Sequence, residues 1–140
     1  MKAKSIVYFV GAGPGDAGLL TLRGAELLDR ADAVVYDERV NPELLRRAPK
    51  SAELLRAGQP EVEPLKPTNT LTQLLIARAC AGKTVVRLMG GDPYLFAGGG
   101  HEAEQLADAG VPFEVVPGVS SIAAAPNYAG VPITHREFAS

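Results

Sequence analysis

The sequence predicts an α/β domain: a mostly parallel sheet of about five strands with helices on both faces. Short continuous apolar runs rich in β-branched and aromatic residues, such as residues 6–10 (IVYFV) and 85–89 (VVRLM), read as strands buried on both faces. Segments with helical apolar spacing separate these runs. The runs end in small or acidic residues: GAGPGD at 11–16, YD at 36–37, GGDP at 90–93 and PGVSS at 117–121. The carboxyl edge of a parallel sheet is where such residues converge and where ligands bind.

In chain order, residues 6–10 form the first strand. Residues 19–31 set Leu20, Leu27, Leu28 and Ala31 at helical spacing. Residues 33–36 give a second strand closing on Asp37, so the first 37 residues make one strand-helix-strand unit. Residues 42–47 read as a short helix with Pro42 near its start, where a missing N–H costs nothing. Residues 52–57 make a weaker third strand. Residues 58–67 carry three prolines and read as an exposed loop. Thr70-x-x-Gln73 has the form of a capping box. The helix it opens runs through Ala81, buries Leu71, Leu74, Leu75 and Ala79, and stops at Gly82. After the strand at 85–89, a helix from near His101 to Ala109 packs through Ala103, Leu106 and Ala107 and stops at Gly110. Residues 113–116 are the fifth strand. Residues 120–128 start as a helix in which Pro126 marks a kink or an end, and residues 131–135 look extended.

The 140 residues suit one domain, 1–140, with a proper core. Hydrophobic residues at 46% and charged residues at 21% describe a soluble globular chain rather than a disordered one. A net charge of -2 speaks against nucleic acid as partner, since phosphate binding needs a basic face. The one cysteine, Cys80, excludes an internal disulfide framework and points to a reducing compartment; in its apolar helical run it reads as a small core residue. No apolar run approaches the ~20 residues of a membrane span, and no signal-peptide cleavage pattern follows the basic first residues. The expectation is a cytoplasmic protein with no membrane partner.

The glycine-rich strand ends carry the candidate chemistry. Gly90-Gly91 lets backbone approach a ligand without a Cβ in the way, and Asp92 adds a carboxylate. Gly, Asp and Pro are also ordinary turn residues, so one such turn means little; four at successive strand ends point to a ligand cleft. GAGPGD is a near-miss to the dinucleotide fingerprint G-x-G-x-x-G. Gly11 and Gly13 match, but Asp16 stands where the third glycine belongs and would repel a pyrophosphate. A ligand without phosphates, held by glycines and hydroxyls with a cationic centre near carboxylates, suits these residues better.

VGAGPGDAGLLTLRGAELLDRADAVVYD, VVRLMGGDPYLFAGGGHEAE and FEVVPGVSSIAAAPNYAGVPITHREFAS together resemble the tetrapyrrole methylase family. Within it, YDERV and APNYAGVPITHR most resemble the uroporphyrinogen-III C-methyltransferases. The resemblance spans nearly the whole chain except residues 58–68. It implies methyl transfer from S-adenosylmethionine to two ring carbons of uroporphyrinogen III, giving precorrin-2 on the route to sirohaem and cobalamin, with S-adenosylhomocysteine as co-product. It implies cofactor contacts from Pro14, Gly90, Gly91, Asp92, Leu95, Ser120 and Ser121, a catalytic base at Asp37, and substrate contacts from His135 and Arg136. No metal is implied. It also implies a homodimer, and a second α/β domain beyond this amino-terminal one, so that 1–140 alone would hold about half of a cofactor site and be inactive.

The chain departs from the family pattern at three places where cations are usual, Gln59 replacing a lysine, Gly98 an arginine and Met89 a lysine, and at a fourth His101 replaces a glutamate. Uroporphyrinogen is a polycarboxylate, so lost cations weaken its binding. Arg46, Arg47, Arg56, Lys66, Arg87 and Arg136 remain as candidate partners. Two alternatives stand beside this reading: a family methylase acting on another substrate, such as a later corrin precursor or an RNA, or a non-catalytic assembly domain.

Overall fold

The computed structural model describes residues 5–58 and 70–137. Its elements are β1 (Val7–Gly11), α1 (Leu22–Asp29), β2 (Ala33–Tyr36), α2 (Pro42–Leu45), β3 (Glu53–Arg56), α3 (Thr70–Cys80), β4 (Val85–Met89), α4 (Gly99–Asp108), β5 (Phe113–Val116) and α5 (Ser121–Tyr128). The strands form one sheet in the order β3-β2-β4-β1-β5, and every pairing is parallel. The expected α/β class with about five strands is observed.

Strand alternation divides the core into two layers. Val10, Val34, Val86 and Leu88 face Leu27 and Leu28 of α1 and Leu44 of α2. Val7, Phe9, Val35, Val85 and Met89 face Leu75 and Ala79 of α3 and Ala103 and Leu106 of α4. All five residues of β4 are buried, as a central parallel strand requires.

Several local expectations shift. The helix expected over 19–31 starts at Leu22, because the Thr21 hydroxyl accepts from the Gly24 N–H at 3.1 Å and fixes the N-cap there. Residues 17–19 form a separate 3-10 turn capped by Asp16. Helix α4 starts at Gly99, two residues before His101, and Ala107 lies on its exposed side. Cys80 is exposed rather than core. The buried stripe of α3 runs through Thr72, Leu75 and Ala79, and one residue past Ala79 turns 100° off it. Pro126 lies inside α5, which continues to Tyr128. Residues 131–135 form no strand and are exposed. The Thr70 side chain of the capping box and nearly all of the proline-rich loop lie outside the described residues.

Edge strand β3 is tied to the sheet's helical layer by Glu53. Its carboxylate accepts from Arg78 Nε at 2.8 Å and pairs with Lys83. The hydrogen bond from Lys83, then that from Arg78, holds the carboxyl below its ordinary value of 4.5. A depressed folded-state value stabilises the protein above the unfolded value and stops doing so as pH falls through the folded one. Glu53→Gln is therefore expected to lower stability near neutral pH by about 0.5–1 kcal/mol, the scale of a half-exposed ion pair. Urea unfolding is expected to show that difference shrinking as pH falls below the ordinary value of 4.5 and vanishing only below the depressed folded-state value.

Candidate functional site

The topology places a crevice between β4 and β1. The chain leaves β1 through α1 on one face and reaches β2; it leaves β4 through α4 on the other face and reaches β5. These neighbouring strands thus send their connections in opposite directions, the switch point at which open α/β sheets bind ligands.

Three strand-end loops meet there, backbone to backbone. The Gly13 N–H donates to the Gly91 carbonyl at 3.2 Å, and the Gly91 N–H donates to the Gly13 carbonyl at 2.8 Å. A Cβ on Gly118 would lie 2.0 Å from the Gly91 carbonyl oxygen and 2.7 Å from the Gly11 Cα. Only glycine permits this approach. Asp92 adds a side-chain clip: Oδ1 accepts from the Tyr94 N–H and Oδ2 from the Gly118 N–H, each at 2.9 Å.

Above this junction opens a cleft of about 560 Å³, within the size range of small-molecule sites. Pro14, Asp37, Gly90, Gly91, Leu95, Ser120 and Ser121 all line it. Seven residues singled out in sequence thus come together. Asp92 does not line the cleft; its carboxylate is turned to the backbone of two loops. His135 and Arg136 are exposed and not among the lining residues.

Sequence reasoning missed Gly13, Glu38, Arg39, Phe96, Ala97 and Ile122 as lining residues. Glu38 and Arg39 directly follow Asp37, and Gly13 belongs to the glycine loop already noted, so proximity alone was the available signal. Phe96 is 93% exposed and holds a φ of 57°, a costly conformation for an aromatic residue. Strain of this kind gathers at functional loops.

The loop after β1 is built against a dinucleotide. Asp16 caps a 3-10 turn with one oxygen, and its other oxygen accepts from the Tyr128 hydroxyl at 3.0 Å. That bond raises the Tyr128 pKa above its ordinary 10.0. The first full helix, α1, starts eleven residues after β1 ends, not directly at the glycines. No helix N-terminus of α1 is therefore presented at the glycine turn to receive a pyrophosphate.

Asp37 has a partner on each oxygen. Oδ1 pairs with Arg87 Nη1 at 2.7 Å, and Oδ2 accepts from the Gly90 N–H at 3.3 Å. Arg87 also meets Glu102 through Nε at 2.9 Å and Nη2 at 3.1 Å. Burial opposes the Arg87 charge, but the Glu102 and Asp37 carboxylates outweigh it, and its pKa lies above the ordinary value. Arg87 is thus removed from the candidate substrate partners. Arg47 is paired with Asp29 at 2.9 Å and Arg56 with Glu38 at 3.6 Å. Met89 is fully buried in the layer under α3 and α4. Gln59 and Lys66 lie outside the described residues.

Fold and cleft define an open α/β protein with a small-molecule site at the switch point of its sheet. Residues 6–140 match the sequence profile of the Tetrapyrrole (Corrin/Porphyrin) Methylases, and the chain belongs to that family. It is 47% identical over 135 residues to the uroporphyrinogen-III C-methyltransferase of Bacillus subtilis, covering 96% of this chain and 52% of that protein. It is 50% identical over 133 residues to the siroheme synthase of Sodalis glossinidius, covering 95% of this chain and 28% of that protein. A uroporphyrin-III C-methyltransferase of Thermus thermophilus complexed with S-adenosylhomocysteine superposes with a TM-score of 0.76 at 45% identity, over 93% of this chain and 50% of that one. The chain thus spans about half the length of one curated relative and less than a third of the other.

Two glycine substitutions test the junction. Gly118→Ala drives a Cβ into backbone on two sides and is expected to cost about 2–3 kcal/mol, the scale of overpacking against rigid neighbours. A Cβ on Gly100, in the first turn of α4, meets nothing within 4 Å. Gly100→Ala is expected to raise stability by about 0.5–1 kcal/mol through helix propensity. Urea unfolding of the two variants beside the parent reads both signs.

Proposed function

We propose that this chain forms the amino-terminal share of an S-adenosylmethionine-dependent C-methyltransferase that converts uroporphyrinogen III to precorrin-2 in sirohaem formation. The observation that carries it is the convergence of Pro14, Gly90, Gly91, Leu95, Ser120 and Ser121 on one cleft at the switch point, in a chain belonging to this family. The relatives named for this activity, and the neighbour holding S-adenosylhomocysteine, support the same reading.

The lining fits the cofactor's make-up. The cleft has room for a nucleoside carrying an amino acid, offers the serine hydroxyls of the α5 N-terminus, and holds two acids, Asp37 and Glu38, against one base, Arg39. S-adenosylmethionine, when bound, supplies an electrophilic methyl group on a sulfonium. Gly90 and Gly91 let the ligand approach backbone closely. Asp92 acts from behind by holding the Gly118 loop, and with it Ser120 and Ser121, in place. Most of the catalysis is orientation of the two reactants. Asp37 is the carboxylate we assign to take the proton that the methylated ring carbon gives up. Arg39, at the cleft, is a cation for the substrate's acid groups, with Arg136 a further candidate outside the cleft.

We further take the protein to be a cytoplasmic homodimer. The single cysteine supports a reducing compartment. The exposed Ile122, Tyr128, Val131 and Ile133 supply apolar surface for a partner.

Calorimetric titration with S-adenosylhomocysteine tests the reading. The parent chain is expected to bind. Gly90 lines the cleft, has no positive φ, and an added Cβ there meets nothing within 4 Å. Gly90→Leu is therefore expected to keep the parent's Tm and to weaken binding at least ~10-fold by occupying ligand space. Equal binding in the two chains would remove the cofactor from this cleft.

A further inference from the structure

A guanidinium at the centre of the sheet is an expensive choice. Arg87 is the middle residue of β4, paired in register with Phe9 on one side and Val35 on the other, and its side chain is 4% exposed. By strand alternation it points with Val85 and Met89 into the layer under α3 and α4. An apolar residue of similar volume would serve that layer at least as well, because desolvating an ion pair commonly offsets its Coulombic gain. Folding alone does not require a charge here.

The geometry shows where the charge is used. Glu102 of α4, 13% exposed, takes two Arg87 nitrogens in a fork, Nε to Oε2 and Nη2 to Oε1. This leaves Nη1 facing the sheet's carboxyl edge, where it meets Asp37 Oδ1 at 2.7 Å and, more weakly, the Leu88 carbonyl at 3.4 Å. Asp37 Oδ2 then accepts the Gly90 N–H. A chain of contacts runs from α4 through the core to a lining carboxylate and on to a lining backbone amide.

We infer that Arg87 is a positioning residue: anchored by Glu102, it fixes the Asp37 carboxylate and through it the Gly90 corner of the cleft. Its consequence for ligand binding rests on the methyltransferase reading above; its structural content does not.

The test uses the double variant Arg87→Met/Glu102→Leu, which removes both charges together and leaves neither unpaired in the core. It is expected to fold with a Tm near the parent's. The backbone amide resonance of Gly90, read by ¹⁵N–¹H NMR without ligand, is expected to move in the same direction as in Asp37→Ala. Arg87→Lys keeps a cation within reach of Asp37 and is expected to restore the resonance part of the way; it also gives the readout should the double variant not fold. S-adenosylhomocysteine affinity is expected to fall about fivefold in the double variant, the scale of one mispositioned polar contact. A Gly90 resonance that moves in Asp37→Ala but stays put when Arg87 is replaced would overturn the inference. A parent chain that binds no S-adenosylhomocysteine would instead defeat the cofactor reading and leave the resonance test of Arg87 standing.

Discussion

The contact on which the site depends is between backbones. Gly118 packs so tightly on the Gly91 carbonyl and on Gly11 that a methyl group at that position would sit 2.0 Å from an oxygen. At Gly11, Gly91 and Gly118 the loops after β1, β4 and β5 therefore close on one another backbone to backbone. The paired Gly13 and Gly91 amides and the Asp92 carboxylate, which accepts from the Gly118 N–H, lock that closure. Because β4 and β1 are central neighbours whose connections part to opposite faces, the locked loops form the floor of a crevice rather than a flat sheet edge. Ser120 and Ser121 reach the cleft because their loop is pinned two residues earlier.

Charge is distributed by the same logic of burial. The surface pairs Arg47–Asp29 and Arg56–Glu38 are between side chains more than 40% exposed and contribute little to folding. The Arg87–Glu102–Asp37 cluster differs in kind. It lies between two apolar strands, and its open end is a cleft-lining carboxylate. One positive and two negative charges leave this cluster with a formal excess of one negative charge, delivered at the cleft wall. A site meant for a sulfonium or another cation gains from this; a pyrophosphate would not.

What was legible in the sequence was local. Residues 6–10 and 85–89 could be read as buried strands from composition alone, and Gly82 and Gly110 as helix stops from their positions, because those features arise from neighbours in the chain. The α1 boundary is ambiguous in sequence because Leu20 satisfies the helical spacing while Thr21, a good N-cap residue, follows it; the structure shows that the Thr21 hydroxyl sets the start. Cys80 reads as core in sequence because an apolar run conceals which side of a helix faces the sheet, and the structure exposes it. Asp92 accepts from the Tyr94 and Gly118 N–H groups; the second bond joins it to a loop 26 residues away, and nothing in its local sequence signals that partner. Arg87 stands among the candidate substrate partners in sequence because the carboxylates that occupy it lie 50 residues before and 15 residues after it. Long-range pairing of this kind leaves no periodic trace. Seven of the residues singled out at strand ends do meet at one cleft, because the carboxyl ends of parallel strands lie side by side whatever their separation in the chain.

The central claim is that the glycine-floored crevice between β4 and β1 is where this chain meets its ligand. The most direct measurement is a ¹⁵N–¹H NMR titration of the parent chain with S-adenosylhomocysteine, following every assigned amide. The account predicts progressive shifts at Gly13, Gly90, Gly91, Ser120 and Ser121, with the amides of α2 and β3 unmoved. Shifts centred instead on the groove between α1 and α2 lined by Leu20, Leu22, Ala25 and Leu44, or none at saturating ligand, would contradict it.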